Sequence, residues 1–184
     1  YEVNKMKSDR VIFREGMRDG IPIALGYLAV SFSLGIAARN VGVNPVQGFF
    51  ASLFCYASAG EYAGFTLIGA HATYIEMAVM TLIVNARYLL MSCALSQRFK
   101  PGTSMIHRFL MGFGITDELF GITIAREGFL NPVYTYGASL MAIPAWAVGT
   151  SLGCIAGNLL PLRLVSAFSV ALYGMFLAII IPPA

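Results

Sequence analysis

The stretch GIPIALGYLAVSFSLGIAA, residues 20–38, contains no charged side chain. At 1.5 Å per residue, a helix of this length covers roughly 28 Å, about the thickness of the hydrocarbon core of a bilayer. Arg39 and Asn40 follow directly and end the apolar run. The stretch therefore predicts a helix that spans a membrane.

The composition of the whole chain agrees with this prediction. Hydrophobic residues make up 58% of the 184 residues and charged residues 11%, and the mean hydropathy is +0.73. A soluble domain of this size carries about 25% charged residues, so the chain has too little polar surface to cover a water-soluble globule. We predict an all-α, polytopic transmembrane protein.

Long apolar runs recur along the chain and predict about six membrane segments. Their approximate bounds are residues 20–38, 45–70, 75–96, 105–125, 133–160 and 164–181.

The segment before the first span has a different pattern. Residues 1–19 mix charged and apolar side chains, which is typical of an amphipathic helix on a membrane surface, and Asp19 is placed to cap the helix that follows. Residues 20–184 then form the transmembrane domain, and we expect the protein to continue beyond this C-terminal end.

The clusters of basic residues predict the topology. One cluster lies in residues 5–18 and a second in residues 98–108. The clusters lack the repeated alternation of aromatic and basic residues that is typical of a nucleic-acid surface. We therefore interpret them as cytoplasmic flanks of a protein of the bacterial inner membrane, with a cytoplasmic N-terminus. Both clusters fall on the cytoplasmic side if segment 45–70 is re-entrant rather than spanning, and the charge pattern favours the re-entrant alternative.

Segment 45–70 is interrupted by small residues and an acid. Ser58, Ala59 and Gly60 are flexible, and Glu61 stands near the centre of the run, where a continuous membrane helix rarely places an acid. The pattern predicts a half-helix, an unwound turn and a second half-helix. The second half-helix would direct free N–H groups into the membrane, an arrangement that suits a carboxylate.

Polar residues in two further segments complete the predicted substrate site. An arginine at the centre of a bilayer costs about 2.5–3.5 kcal/mol on insertion scales and should face an acid or a wet cavity. Arg87 either forms a structural ion pair or, with Asn85, holds a substrate carboxylate, and Asp117 is either a helix cap or part of the site. The predicted substrate-binding residues are Ser58, Ala59, Gly60, Glu61, Asn85, Arg87, Asp117 and Glu118.

Three glycines in segment 133–160 predict close helix packing. Gly149, Gly153 and Gly157 recur every four residues and so share one helix face. The same stretch spells G-x-S-x-G around Ser151, but the two histidines lie at segment edges, which argues against a hydrolase. The three cysteines have no metal-ligand spacing, and we expect no metal, cofactor or disulfide framework.

Five motifs occur in an order that resembles a known family, AzlC/YgaZ, the large subunit of bacterial branched-chain amino acid exporters. They are GIP at 20–22, ASAGEYA at 57–63, NARY at 85–88, ITDE at 115–118 and WAVGT at 146–150. The resemblance covers roughly residues 13–181.

The resemblance implies proton-driven export of valine, leucine, isoleucine and methionine. It also implies a small hydrophobic partner subunit of the AzlD/YgaH type. The family usually carries Gln where this chain has Glu61, so the resemblance implies altered coupling or substrate at this position.

Other functions remain open at this point. The chain could be a non-transporting membrane scaffold for its partner, a carrier of a different small solute, an intramembrane hydrolase or a channel. A fold alone does not decide among them.

Overall fold

A computed structural model describes residues 8–157 together with 159, 163, 167 and 170. Regular structure in these residues is helical, apart from an isolated bridge between Phe99 and Leu130. The helices are α1 (Asp9–Asn40), α2 (Pro45–Cys55), α3 (Ser58–Gly69), α4 (Tyr74–Val84), α5 (Ala86–Ser96), α6 (Met105–Phe113), α7 (Asp117–Ile124) and α8 (Pro132–Ala156). The predicted all-α class is confirmed.

The first helix is longer than the sequence predicted. α1 runs through Asp19 and Pro22 without a break, so the prediction that Asp19 caps a new helix is wrong. The reason is tertiary, since the Asp19 carboxylate accepts a 2.7 Å hydrogen bond from the Tyr134 hydroxyl on α8. The part of the predicted amphipathic segment at residues 1–7 lies outside the described residues.

Three of the predicted segments are each divided into two helices. The break expected in segment 45–70 is confirmed, between α2 and α3. Segment 75–96, which we predicted as one membrane segment, divides at Asn85 into α4 and α5, and the two axes differ by 46°. Segment 105–125 divides between Phe113 and Asp117.

Two of the described helices, α1 and α8, are long and apolar enough to span a membrane by length and composition. The α4–α5 pair would be a third if it is one bent span. The count of six stays a prediction, and segment 164–181 lies outside the described residues apart from isolated positions.

The chain divides into two compact units. The first consists of Tyr1–Ile23 and Tyr88–Ala142, and the second of Ala24–Arg87 and Ile143–Ala184. We call them unit 1 and unit 2.

Unit 1 has a small apolar core. The core residues are Leu95, Phe99, Met111, Ile115 and Leu130.

The polar contacts of unit 1 involve two arginines. The Arg98 guanidinium donates hydrogen bonds to the carbonyls of Arg126 and Gly128, which fixes the chain after α7. Arg126 forms a 3.0 Å salt bridge with Glu15 on α1 and lies 4.0 Å from the ring centroid of Tyr134.

Unit 2 is built on close backbone packing of α1 and α8. A Cβ atom at Gly153 would overlap the carbonyl oxygen of Phe32 and lie 2.9 Å from the Cα of Gly35. A Cβ atom at Gly149 would overlap Ser31. Glycine is required here because the two backbones touch, the arrangement that small residues permit in membrane helices.

Candidate functional site

The break in segment 45–70 depends on Tyr56. This residue ends α2 in the left-handed conformation, with φ 41° and ψ 43°. A non-glycine residue pays roughly 1–2 kcal/mol for that conformation. Tyr56 is buried, and its ring packs edge-on against Tyr27 of α1 at 6.1 Å, so packing in unit 2 holds the turn.

The break leaves the N-terminus of α3 without a side-chain cap. Ala57 takes the cap position, where it has no side chain that can accept a hydrogen bond. The first backbone bond of the helix joins the Glu61 N–H to the Ala57 carbonyl at 2.7 Å. The N–H groups of Ser58, Ala59 and Gly60 therefore carry the partial positive charge of a helix start.

Asn85 lies directly against this helix start. A Cβ atom at Gly60 would come within 2.5 Å of the Asn85 Nδ2 and 2.7 Å of its Oδ1. The Oδ1 atom is buried and accepts no hydrogen bond from any described residue. Buried amide oxygens normally have a donor, so a bound group that supplies one would satisfy Asn85.

The Glu61 carboxyl, unlike the Asn85 Oδ1, is hydrogen-bonded to neutral donors. Its side chain is 3% exposed. One carboxyl oxygen accepts a 2.8 Å hydrogen bond from the indole Nε1–H of Trp146, and the other is hydrogen-bonded to the hydroxyl of Ser52. Within the described residues no cation pairs with this carboxyl.

A second hydroxyl extends the set of partners around Glu61. The Oγ atoms of Ser52 and Thr150 are 2.6 Å apart, and Thr150 donates to the backbone carbonyl of Trp146 at 3.2 Å. Ser52 and Thr150 are fully buried. Trp146 is fixed from its other side by Tyr27, whose ring lies 5.2 Å away and edge-on.

The predicted site residues are divided between the two units. Six of them belong to unit 2, namely Ser58, Ala59, Gly60, Glu61, Asn85 and Arg87.

The other two, Asp117 and Glu118, open α7 in unit 1, and the cap of that helix is the Thr116 side chain, which accepts from the Leu119 N–H. The structure brings Gly60 and Asn85 into contact and turns Glu61 toward α2 and α8.

Sequence reasoning missed three residues around Glu61. Trp146 was noted only as part of the WAVGT motif, whereas its indole N–H binds a buried acid. Ser52 and Thr150 carried no prediction. The available signal was weak, since Trp146 and Thr150 are four apart and so share a face of α8, and Ser52 is an ordinary serine in an apolar run.

The remaining candidate groups have structural partners. Ser151 donates a 3.1 Å hydrogen bond to the Pro45 carbonyl. His107 is hydrogen-bonded to the Tyr136 hydroxyl at 2.7 Å. The described residues contain no group of three or more side chains suited to a metal ion.

Comparison with known proteins gives a family match and several similar membrane proteins. The family model described as AzlC protein matches residues 22–160. An uncharacterized membrane protein of Archaeoglobus fulgidus is 29% identical over 177 residues, which are 95% of this chain and 77% of that protein.

Two bacterial proteins are similar over a shorter stretch. The inner membrane protein YgaZ of Escherichia coli is 27% identical over 150 residues, and an uncharacterized membrane protein of Helicobacter pylori is 28% identical over 149. Each alignment covers 79% of this chain, but only 61% and 64% of those two proteins. No solved structure matches.

The family model covers most of the chain, including the broken segment, Asn85, Glu61 and the Trp146–Thr150 face of α8, and the chain therefore belongs to the AzlC family of membrane proteins.

Proposed function

We propose that this chain is the large subunit of a secondary transporter, and not an enzyme, that exports branched-chain amino acids across the bacterial inner membrane. The observation that carries the proposal is the uncapped start of α3 beside the buried Asn85 Oδ1. An amino acid presents a carboxylate and an ammonium on one carbon, and the two halves of this site suit those two groups.

The carboxylate fits the helix start. The N–H groups of Ser58, Ala59 and Gly60 are donors without a side-chain cap, and the helix dipole favours a negative charge there. The absence of a Cβ at Gly60 lets the Asn85 amide lie directly against the backbone of this helix start. The same combination of an unwound segment and a half-helix start is used by transporters that bind amino acid carboxylates.

The ammonium fits Asn85. Its Oδ1 is a buried acceptor that lacks a donor, and an ammonium group has three N–H donors. Apolar side chains of valine, leucine, isoleucine or methionine would then lie among the hydrophobic residues of unit 2. The family resemblance, more than the geometry, supports this choice of substrates.

A partner subunit is part of the proposal. α4 has no buried residue, and the side chains of Tyr74, Ile75, Leu82 and Ile83 are largely exposed. Such a surface needs lipid or another apolar helix in a membrane protein. We assign it to the bilayer together with a small hydrophobic subunit of the AzlD/YgaH type.

The test is counterflow of labelled valine and leucine into liposomes that contain the full-length protein, with and without the small subunit. Gly60→Ala should reduce uptake by more than about tenfold, the equivalent of roughly 1.4 kcal/mol, because its methyl group would collide with the Asn85 amide. Gly64→Ala is the matched control, since a Cβ there meets nothing within 4 Å.

Two results would contradict the proposal. Equal uptake by the Gly60 and Gly64 variants would remove the helix start of α3 from the site. No uptake of any branched-chain amino acid by folded protein with its partner would leave a different solute or a scaffold as the function.

A further inference from the structure

The buried acid Glu61 has partners that the proposed amino acid site does not use. They form a closed circuit of hydrogen bonds that returns to its starting residue: Glu61 to Ser52, Ser52 to Thr150, Thr150 to the Trp146 carbonyl, and the Trp146 indole back to Glu61. All four side chains lie in unit 2 and are at most 7% exposed.

The number of hydroxyl hydrogens available for these bonds limits the direction in which each bond can run. Each hydroxyl can donate once, yet the Ser52 Oγ lies within hydrogen-bond distance of both the Glu61 carboxyl and the Thr150 Oγ1. Ser52 must therefore donate to one neighbour and accept from the other. Which neighbour it donates to depends on whether Glu61 carries a proton.

Ser52 keeps both of its hydrogen bonds in either protonation state. When Glu61 is protonated, its hydroxyl donates to Ser52, Ser52 donates to Thr150, and Thr150 donates to the Trp146 carbonyl. When Glu61 is ionised, the two hydroxyls rotate, so that Thr150 donates to Ser52 and Ser52 donates to the carboxylate, and Thr150 no longer donates to the Trp146 carbonyl. The Trp146 indole donates to the other carboxyl oxygen in both states, and no heavy atom has to move.

Glu61 has few titratable neighbours among the described residues. The titratable groups that face it are the thiols of Cys55 on α2 and Cys154 on α8, which are close enough to interact with it electrostatically. Tyr27 packs edge-on against Trp146, and Tyr56 packs edge-on against Tyr27.

The described partners include no cation. Asn85, which contacts the same turn of α3, is neutral. Arg39 of α1 acts electrostatically on Cys154, but no cation among the described residues is hydrogen-bonded to Glu61. Gain or loss of one proton on Glu61 therefore changes the charge of this pocket by a full unit.

We propose that Glu61 is a reversible proton-binding site, and that the hydroxyls of Ser52 and Thr150 reverse their hydrogen-bond direction when the proton binds or leaves. The step is a simple transfer: the carboxylate takes one proton from hydronium and releases water, and the reverse step returns it, with no other bond changed. The inference rests on the proposed function only in naming this proton as the one that couples to transport.

Trp146 can report the protonation state of Glu61 by its fluorescence. The sequence contains a single tryptophan, and its indole N–H binds Glu61. The indole should sense the change from carboxylate to carboxylic acid. We expect the tryptophan emission of the purified chain in detergent to change with pH along a one-proton curve, and Glu61→Gln to abolish that change.

Two variants provide the controls. Glu127→Gln removes an exposed acid in the turn after α7 and should leave the titration unaltered. Ser52→Ala removes the group that accepts from the protonated acid and donates to the ionised one, and it should shift the midpoint of the curve without abolishing it. This second variant also serves if Glu61→Gln does not fold.

The outcomes separate the proton site from the transport function. A tryptophan titration in folded protein that is the same in wild type, Glu61→Gln and Ser52→Ala would overturn the proton site, whatever is transported. A titration that depends on Glu61 supports the site even if no branched-chain amino acid moves, in which case the substrate assignment fails alone. Transport that keeps its pH dependence in Glu61→Gln would overturn the link between this proton and transport.

Discussion

Units 1 and 2 each contain a glutamate that contacts α8 or the chain leading to it, and the two units treat the acid differently. Glu15 in unit 1 pairs with Arg126, and the two side chains are 29% and 38% exposed. Glu61 in unit 2 is 3% exposed and is surrounded by neutral hydrogen-bond donors.

This difference indicates which acid, Glu15 or Glu61, can gain or lose a proton without disrupting its contacts. Glu15 is compensated by a guanidinium, so a proton on it would leave a cation without its partner. In the part of the chain that the structure describes, Glu61 is hydrogen-bonded to the Ser52 hydroxyl and the Trp146 indole, and rotation of the Ser52 and Thr150 O–H bonds accommodates either state. A neutral surrounding is therefore what distinguishes a candidate proton site from a structural ion pair.

The units also share a feature, the contact of the α1 and α8 backbones at glycine. Gly137 meets the Phe13 carbonyl in unit 1, and Gly153 meets the Phe32 carbonyl in unit 2. Within each unit, the glycine allows the two backbones to touch.

The largest expected effect comes from disrupting these backbone contacts, each within its own unit. Gly153→Leu and Gly137→Leu should each destabilise the protein by about 3 kcal/mol, because a side chain cannot fit where two backbones touch. The measurement is the apparent melting temperature in detergent. Gly26→Leu is the control on α1, where a Cβ meets nothing within 4 Å, and a similar melting temperature for all three variants would contradict the packing.

A smaller effect tests the neutral surrounding of Glu61. Trp146→Phe keeps the ring that packs on Tyr27 but removes the N–H donor, so one carboxyl oxygen loses its partner. Leaving a buried polar atom unsatisfied costs about 1–3 kcal/mol, which should appear as a lower melting temperature than in wild type. Wild-type stability in Trp146→Phe would show that the indole bond to Glu61 is not made.

The smallest expected effect concerns the Glu15–Arg126 ion pair of unit 1. Glu15→Gln removes the charge of a partly exposed ion pair and should change stability by less than about 1 kcal/mol, since exposed pairs contribute little. Added salt should reduce the difference further. If Glu15→Gln destabilised the protein more than Trp146→Phe, the two acids would have been ranked in the wrong order.

Much of the fold could be read from the chain. The uncharged run at residues 20–38 predicted a long apolar helix, and α1 contains it. The small residues at 57–60 predicted a break, because a membrane helix with an acid near its centre needs an interruption, and α3 begins at Ser58. The glycines of α8 were predicted to lie on a packing face, and in the structure they lie against α1.

The two further breaks carried weaker signals. Asn85 is a single polar residue followed at once by helix-forming Ala86, and after Phe113 the flexible Gly114 precedes Asp117 and Glu118 within a run that is long enough to span. Asp19 was misplaced for the opposite reason: a charged residue before an apolar run suggests a helix start, yet the Tyr134 hydroxyl holds it inside α1.

The sequence by itself determined that the chain is an all-helical membrane protein, that segment 45–70 is broken and that Glu61 stands at the break. These properties follow from composition and local pattern, which depend on neighbouring residues only. Only the tertiary structure decided what surrounds Glu61. Ser52 precedes it by nine residues, Trp146 and Thr150 follow it by more than eighty, and hydrogen bonds over such separations leave no periodic signal in a sequence because the folded backbone alone brings the partners together.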